Sequence, residues 1–498
     1  MSKHIKILFT LLVLLSLSWS CTNDEGNYSY NAINEIKASG IEETYTAYTG
    51  DNFKITPNLN PTIDDGSNPD RYSYEWIAVN PVKLALESKT TIGTTKNLDG
   101  TLKLPPAKYN VYYFVKDKVT GVTWQHEPFV LNVVSSIYAG WLIVGDANGK
   151  PRLDMVSILP DVAQPRIITD VLDATGSALK LTGKAVDVHC FNQPFVTPLM
   201  YGIYVTTTEN GTARLEQDSF SWTQSQNIAY ETVGGSLPSN FGVDFMESYG
   251  SGENFIYSKG NIYYYMRIMQ IKYGLPQNIV DIESKPFYAA PFIAENMGSL
   301  GTPVFYDKDA RRFLRYSYSR GNCSAMPPLT GSPTVLDWNN TNSDLVFMAS
   351  TNYNQGENFA VLKNISTGKY SLLRFSVELA QVYYKEILNA PDFDKATKFA
   401  VSPDTGYLFY AVGGKLYEYD NGTQSAKLML DKGAEEITYI DFNSRSPVDF
   451  RQKLIVGSYN GTAGKMELFT VPPVNGALIL NTTYNGLCKI VDVAYRSR

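Results

Sequence analysis

The side chains that most often carry chemistry near neutral pH are scarce in this chain, with 3 His and 4 Cys among 498 residues. His126 sits near a strand start, and His189 lies in the alternating run Val186-Asp187-Val188-His189-Cys190, which reads as a strand. No G-x-S-x-G elbow, H-E-x-x-H pair, Walker A loop or G-x-G-x-x-G fingerprint occurs, so the sequence predicts no cofactor and no bound metal. Carboxylates are adjacent at Asp307/Asp309, Asp392/Asp394 and Glu435/Glu436. Glycosidic cleavage needs two carboxyls about 5–9 Å apart across a cleft, and neighbours in sequence do not show that. Asp392-x-Asp394 also lacks the Gly and distal Glu of a calcium loop, and all three pairs read as solvated turns. No catalytic residue is assigned. Sugar rings stack on exposed aromatics, and charged sugars meet arginines. The candidates are Trp222, Trp338, Tyr264 within Tyr263-Tyr264-Tyr265, and Arg315 within the segment that also holds Arg311, Arg312 and Arg320. The alternative for each is core packing or the charged outer face of a strand.

The elements that must position these residues are β-strands. The chain has 35 Tyr, 23 Phe, 37 Gly and 25 Pro, a mixture of pleated-surface and turn residues that points to an all-β protein. A formal net charge of −6 leaves no basic excess for phosphate contacts and argues against nucleic-acid binding. Lys3 and Lys6 precede an apolar run of about 11 residues, Ile7 to Leu17, which has signal-peptide length and is too short for a permanent membrane helix. It continues through Ser18, Trp19 and Ser20 into Cys21, with Asp24 and Glu25 just beyond. The arrangement resembles a bacterial lipobox. It implies a signal peptide over 1–20, acylation of Cys21 and an acidic tether over 21–31. Such a chain would be anchored by lipid in the outer membrane and exposed at the cell surface. The alternative is an ordinary secretory signal. Cys190, Cys323 and Cys488 are distant in sequence and read as buried small hydrophobes, with at most one disulfide among them.

Residues 32–135 read as one β-sandwich. Alternation marks strands at Phe53–Pro57, Tyr72–Ile77, Tyr109–Val115 and Phe129–Val134, separated by turns such as Asp64-Asp65-Gly66 and Lys118-Val119-Thr120-Gly121. Trp76 is the expected buried aromatic of a central strand. The sequence Tyr74-Glu75-Trp76, followed by Tyr109-Asn110-Val111-Tyr112 and Val115-Lys116-Asp117, resembles PKD-type sandwich domains. With the Cys21–Tyr30 front end, Gly50-Asp51 and Ile55-Thr56-Pro57, it is similar to PKD-like lipoproteins of polysaccharide-utilisation loci. That resemblance implies a larger β-rich C-terminal region and a cell-envelope role near a glycan importer.

From 137 to 498 the pattern becomes a succession of short apolar strands broken by Gly, Asn and Asp. Phe399–Gly406, Tyr407–Gly414, Lys415–Gly422 and Lys427–Leu430 make one four-stranded meander. Another follows at Ile440–Asn443, Lys453–Gly461 and Lys465–Val471, and an earlier copy at Val335–Trp338, Leu345–Ala349, Phe359–Leu362 and Tyr370–Leu373. A four-stranded period of roughly 40–50 residues predicts a β-propeller, with seven blades favoured over eight. Cys488–Ala494 is the expected closing strand, paired beside Trp141–Val144 to hide both edges. Ser376–Ala390 has apolar residues near helical spacing and predicts a helical insertion.

Function divides between two classes. One is a non-catalytic surface lipoprotein that binds polysaccharide or docks with outer-membrane glycan-uptake proteins; the other is a propeller-based glycoside hydrolase or polysaccharide lyase. The poverty of His and of nucleophile motifs favours binding. Carboxylates converging on a channel mouth would favour the enzyme, and a surface aromatic strip would favour binding.

Overall fold

The computed structural model describes residues 33–83, 88–159, 162, 164–191, 202–233, 237–248, 253–266, 272–280, 285–294, 302–328, 335–444 and 446–497. The expected signal peptide (1–20), Cys21 and the expected tether (21–31) lie outside the described residues. The chain divides between Ser135 and Ser136 into two compact units.

The first unit is a β-sandwich. One sheet takes strands in the order Thr44–Tyr48, Phe129–Val134, Ala107–Asp117, Tyr72–Val79 and Lys89–Gly93, with Thr123–Gln125 also pairing on Ala107–Asp117. Ile36–Ser39 pairs with Asn58–Pro61, and Asn52–Ile55 with Leu98–Thr101. The strand Tyr72–Val79 alternates as its sequence requires, so Tyr72, Trp76 and Ala78 are buried. Trp76 is fully buried in the central strand, as expected. Its ring stacks on Tyr113 at 4.0 Å and its indole N–H donates to the Thr95 carbonyl at 2.9 Å. Asp117, also buried, accepts from Arg71 at 2.8 Å and from the Asn34 amide at 3.0 Å, and the Arg71 guanidinium holds its carboxyl well below the usual carboxylate range.

The second unit is a β-propeller, with seven consecutive sheets among the described residues, here blades 1 to 7. Blade 1 holds Ala139–Ala147, Lys150–Ile158 and Arg166–Ile168, and blade 2 holds Ala185–Phe191, Gly202–Thr207 and Gly211–Leu215. Blade 3 is built from Phe245–Ser248, Glu253–Ser258 and Asn261–Met266, and blade 4 from Val304–Asp307, Arg312–Ser317 and Asn322–Ala325. Isolated bridges at Ala289 and Ala294 add an inner stretch to blade 4. Blades 5, 6 and 7 are four-stranded and open with Ser343–Ser350, Lys398–Val401 and Glu436–Asp441. Apolar side chains on both faces of each sheet fill the space between neighbouring blades, which is why these strands read as continuous apolar runs.

Closure follows the sequence expectation. The last strand, Lys489–Arg496, pairs antiparallel with Ala139–Ala147 and becomes the inner strand of blade 1, with Trp141 opposite Tyr495. Asp154, fully buried, secures it. Its carboxylate accepts from the Cys488 and Asp170 backbone N–H groups at 2.8 and 2.9 Å and pairs with Arg152 at 2.7 Å. The backbone passes so close that a Cβ at Gly145 would strike the Lys489 carbonyl, and one at Gly464 the Cys488 carbonyl. Arg496, 2% exposed, donates to the Gln217 carbonyl at 2.7 Å and ties the end of this strand to blade 2. Cys190, Cys323 and Cys488 are all buried free thiols, as their spacing suggested.

Two local expectations are corrected. Residues 376–390 hold a strand, Gln381–Glu386, as the outer strand of blade 5, not a helix. The run Gln-Val-Tyr-Tyr-Lys-Glu pairs with Tyr370–Phe375, and Leu379 takes a positive φ of 62° in the turn before it, which no helix interior allows. Val335–Trp338 is not the first strand of blade 5 either; that strand is Ser343–Ser350, and the blade takes Gln381–Glu386 as its fourth.

Candidate functional site

Two cavities of the propeller bear on function. The first, of about 320 Å³, runs along the inner strands of blades 1, 2, 3, 5 and 7 and the inner stretch of blade 4. Its charged wall is acidic: Asp187, Glu247, Asp441 and Asp492 line it with His189, and among the described residues no lysine or arginine does. These carboxylates come from different blades, which sequence adjacency could not reveal. Two side chains of this wall, Asp492 and Tyr439, join neighbouring blades. Asp492 accepts the Val188 N–H at 3.0 Å, joining blade 1 to blade 2, and Asp187 hydrogen-bonds to it. Tyr439 of blade 7 donates to Asp441 at 3.3 Å and toward the Val493 carbonyl at 3.5 Å, joining blade 7 to blade 1. Burial, with Asp441 nearby, pushes the Asp492 carboxyl above the usual range. His189 meets Ser248 at 2.6 Å, and the Asn254 amide donates to the same hydroxyl at 2.6 Å, a buried polar chain between blades 2 and 3. Among the described residues, no cluster of His, Cys, Asp and Glu has the geometry to hold a metal ion.

The second cavity is a cleft of about 520 Å³ on blade 4, along the hairpin between Arg312–Ser317 and Asn322–Ala325. Arg315, Tyr318, Arg320, Asn322 and Ser324 are among its lining residues. Strand alternation decides its composition. Leu314 and Tyr316 pack into the core between blades 3 and 4, and Arg315, between them, is exposed. Arg315 donates from Nε to Ser324 Oγ at 3.1 Å across the strand pair. Tyr318 is 40% exposed at the end of the hairpin. Its ring lies 5.4 Å from both Tyr264 and Tyr316, with Phe255 behind at 6.3 Å.

Of the four residues singled out in the sequence, two therefore converge: Arg315 lines the cleft, and Tyr264 backs its aromatic wall. The other two do not. Trp338 is 2% exposed, with its ring 6.3 Å from Phe375 and its N–H donated to the Pro327 carbonyl at 2.9 Å, so it is core and leaves no face for a ligand. Trp222 is half-buried against the core between blades 1 and 2, in a different part of the ring. Sequence reasoning missed Asp187, Asp441 and Asp492. The available signal was a carboxylate inside an apolar inner-strand run, as in Val186-Asp187-Val188 and Val491-Asp492-Val493.

Among solved structures, a quinonprotein alcohol dehydrogenase-like protein from Bacteroides thetaiotaomicron superposes with a TM-score of 0.46 at 10% identity, covering 93% of this chain and 99% of that one. A protein from Lactobacillus plantarum gives 0.43 at 12% identity, over 72% of this chain and all of that one. The WD40 domain of SCAP from fission yeast gives 0.32 at 9% identity, over 60% and 73% of the two chains. Comparison with curated proteins finds no match. The model of the PKD-like family matches residues 21–184, which takes in the sandwich and runs into the first blade of the propeller.

Proposed function

We propose that this protein is a non-catalytic glycan-binding lipoprotein, held by acylated Cys21 on the outer surface of the outer membrane, where it presents polysaccharide to, or docks with, a glycan-uptake complex. The blade-4 cleft carries the reading: an exposed tyrosine braced by other aromatics stands beside arginine, hydroxyl and amide groups, the combination that stacks a sugar ring and hydrogen-bonds its edge. A surface site of this kind binds in the micromolar to millimolar range, about −4 to −8 kcal/mol. Affinity gels with a panel of polysaccharides, run with an assay for released reducing ends, test it. Retardation without release is the expected result, and release abolished by one carboxylate-to-amide change overturns it. Acylation is tested separately by mass spectrometry of the mature N-terminus. An intact Leu17–Thr22 peptide would refute the anchor.

A second reading, a glycoside hydrolase or polysaccharide lyase, has one observation in its favour: Asp187, Asp441 and Asp492 share the central cavity. Against it, a general acid must reach the glycosidic oxygen. Here Asp187 is 7% exposed, Asp492 is occupied in joining the inner strands of blades 1 and 2, and Asp441 accepts from Tyr439 on its own strand. Binding is the better-supported class.

A further inference from the structure

We propose that the blade-4 cleft selects saccharides that carry an anionic group, with Arg315 as the anion contact and Tyr318 as the stacking platform; this rests on the glycan-binding reading above. The first observation is charge. The chain has a formal net charge of −6, yet among the described residues the lining of this cleft contains two arginines, Arg315 and Arg320, and no carboxylate. The central cavity has the opposite character.

The second observation is what the arginines of this segment do. Arg311 pairs with Asp344 at 3.0 Å, and Arg312 with Asp307 at 3.0 Å. Arg315, on the same strand as Arg312, meets no carboxylate among the described residues; its contact is Nε to Ser324 Oγ at 3.1 Å. That bond fixes the plane of the guanidinium while its two terminal nitrogens remain available for a bidentate oxyanion contact. Orientation in the free protein lowers the ordering cost that a mobile surface arginine would meet on binding.

The third observation is the platform. Tyr318 is braced by Tyr264, Tyr316 and Phe255, so its exposed ring is held in place before a ligand arrives. Ser317, Ser319 and Asn322 supply hydroxyl and amide groups around it. A volume of about 520 Å³ lies within the ~300–1,000 Å³ typical of small-molecule sites. An oxyanion on a pyranose ring satisfies arginine and tyrosine together. An acidic polypeptide uses the charge but leaves the platform without a ring.

The test uses the full mature chain in detergent, titrated by calorimetry with oligogalacturonate, its fully methyl-esterified form, a sulfated oligosaccharide, a neutral galactan fragment and poly-glutamate. The free-acid or the sulfated oligosaccharide binds at least tenfold more tightly than the ester and the galactan. Arg315→Gln weakens that binding about tenfold or more, the scale of one charge-assisted contact, without lowering the melting temperature. Tyr318→Ala weakens oligosaccharide binding by a similar factor. Equal affinity for ester and free acid, unaffected by Arg315→Gln, overturns the anion selectivity and leaves glycan binding intact. Poly-glutamate bound as tightly as the uronate overturns the saccharide assignment. No binding of any saccharide overturns both this inference and the reading beneath it.

Discussion

The two cavities of the propeller hold charged groups of opposite sign and put them to opposite uses. In the central cavity Asp187 is buried and the other acids are half-buried, and two groups tie neighbouring blades together. Asp492 accepts the Val188 N–H across the joint of blades 1 and 2. The Tyr439 hydroxyl, which also donates to Asp441 on its own strand, reaches toward the Val493 carbonyl across the joint of blades 7 and 1. In the blade-4 cleft the charged groups are exposed, and Arg315 makes a single bond to a serine. A buried charge must be matched by partners inside the protein because water cannot solvate it, whereas an exposed one can be left for a ligand. Exposure and partnership therefore separate a structural acid from a recognition base more clearly than residue type does. That four carboxylates line one cavity is not by itself a catalytic signature.

The comparison breaks most visibly at the clasp of the ring. Asp154→Ala removes the acceptor of the Cys488 and Asp170 N–H groups and strands Arg152; a loss of about 3–5 kcal/mol is expected, measured by denaturant unfolding of the full chain. A loss below 1 kcal/mol would show that strand pairing alone closes the propeller.

Glu418 of blade 6 supplies an intermediate case, a buried acid without partners. It is 1% exposed, neither carboxylate oxygen has a hydrogen-bond partner among the described residues, and burial pushes its carboxyl up to about 7, offset in part by Lys427. The folded state keeps this proton to higher pH than the unfolded chain does. Its contribution is therefore present in full below about pH 4 and lost as pH rises toward 7. Glu418→Gln is expected to flatten that fall and to raise stability at pH 8 by on the order of 2 kcal/mol, read from melting curves at pH 4 and pH 8. An unchanged pH profile would mean that water reaches the carboxylate.

Asp492→Asn acts in the same direction with a smaller effect. The amide oxygen still accepts from Val188, and the repulsion from Asp441 disappears. Stability above pH 7 is expected to rise by on the order of 1 kcal/mol, with glycan binding unchanged. Lost activity on a polysaccharide would move the acids from structure to chemistry. Smallest in stability and largest in binding is Arg315→Gln. Unfolding free energy stays within the scatter of surface substitutions, about ±0.5 kcal/mol, while retardation in affinity gels is lost.

Much of the fold was legible because propeller strands announce themselves one at a time. Alternation placed Trp76 in the sandwich core, the Gly-punctuated runs from Phe399 onward marked blade 6, and the apolar Cys488–Ala494 run gave the closing strand. The Ser376–Ala390 segment was misleading because Tyr383, Tyr384, Ile387 and Leu388 fit a helical stripe and a strand with a following turn equally well. Tyr370–Phe375, waiting for a partner, settled it. The cleft was half legible: Arg315 and Tyr264 were visible as residue types, but nothing local separated them from Trp338, whose indole only the packing around Phe375 shows to be core.

The sequence by itself determined the all-β class, the sandwich pattern around Trp76, the repeated meander and the strand that closes the ring. Each of these is written in local periodicity, turn residues and apolar runs, which act over a few residues. Tertiary structure decided which charges meet. Asp187 and Asp492 are 305 residues apart in number and adjacent in space because the chain's last strand returns to its first blade. Tyr318 becomes a platform only when blade 3 brings Phe255 and Tyr264 behind it. Spacing along a strand sets the face on which a side chain lies; only the arrangement of blades sets what stands opposite that face, and the chemistry is decided there.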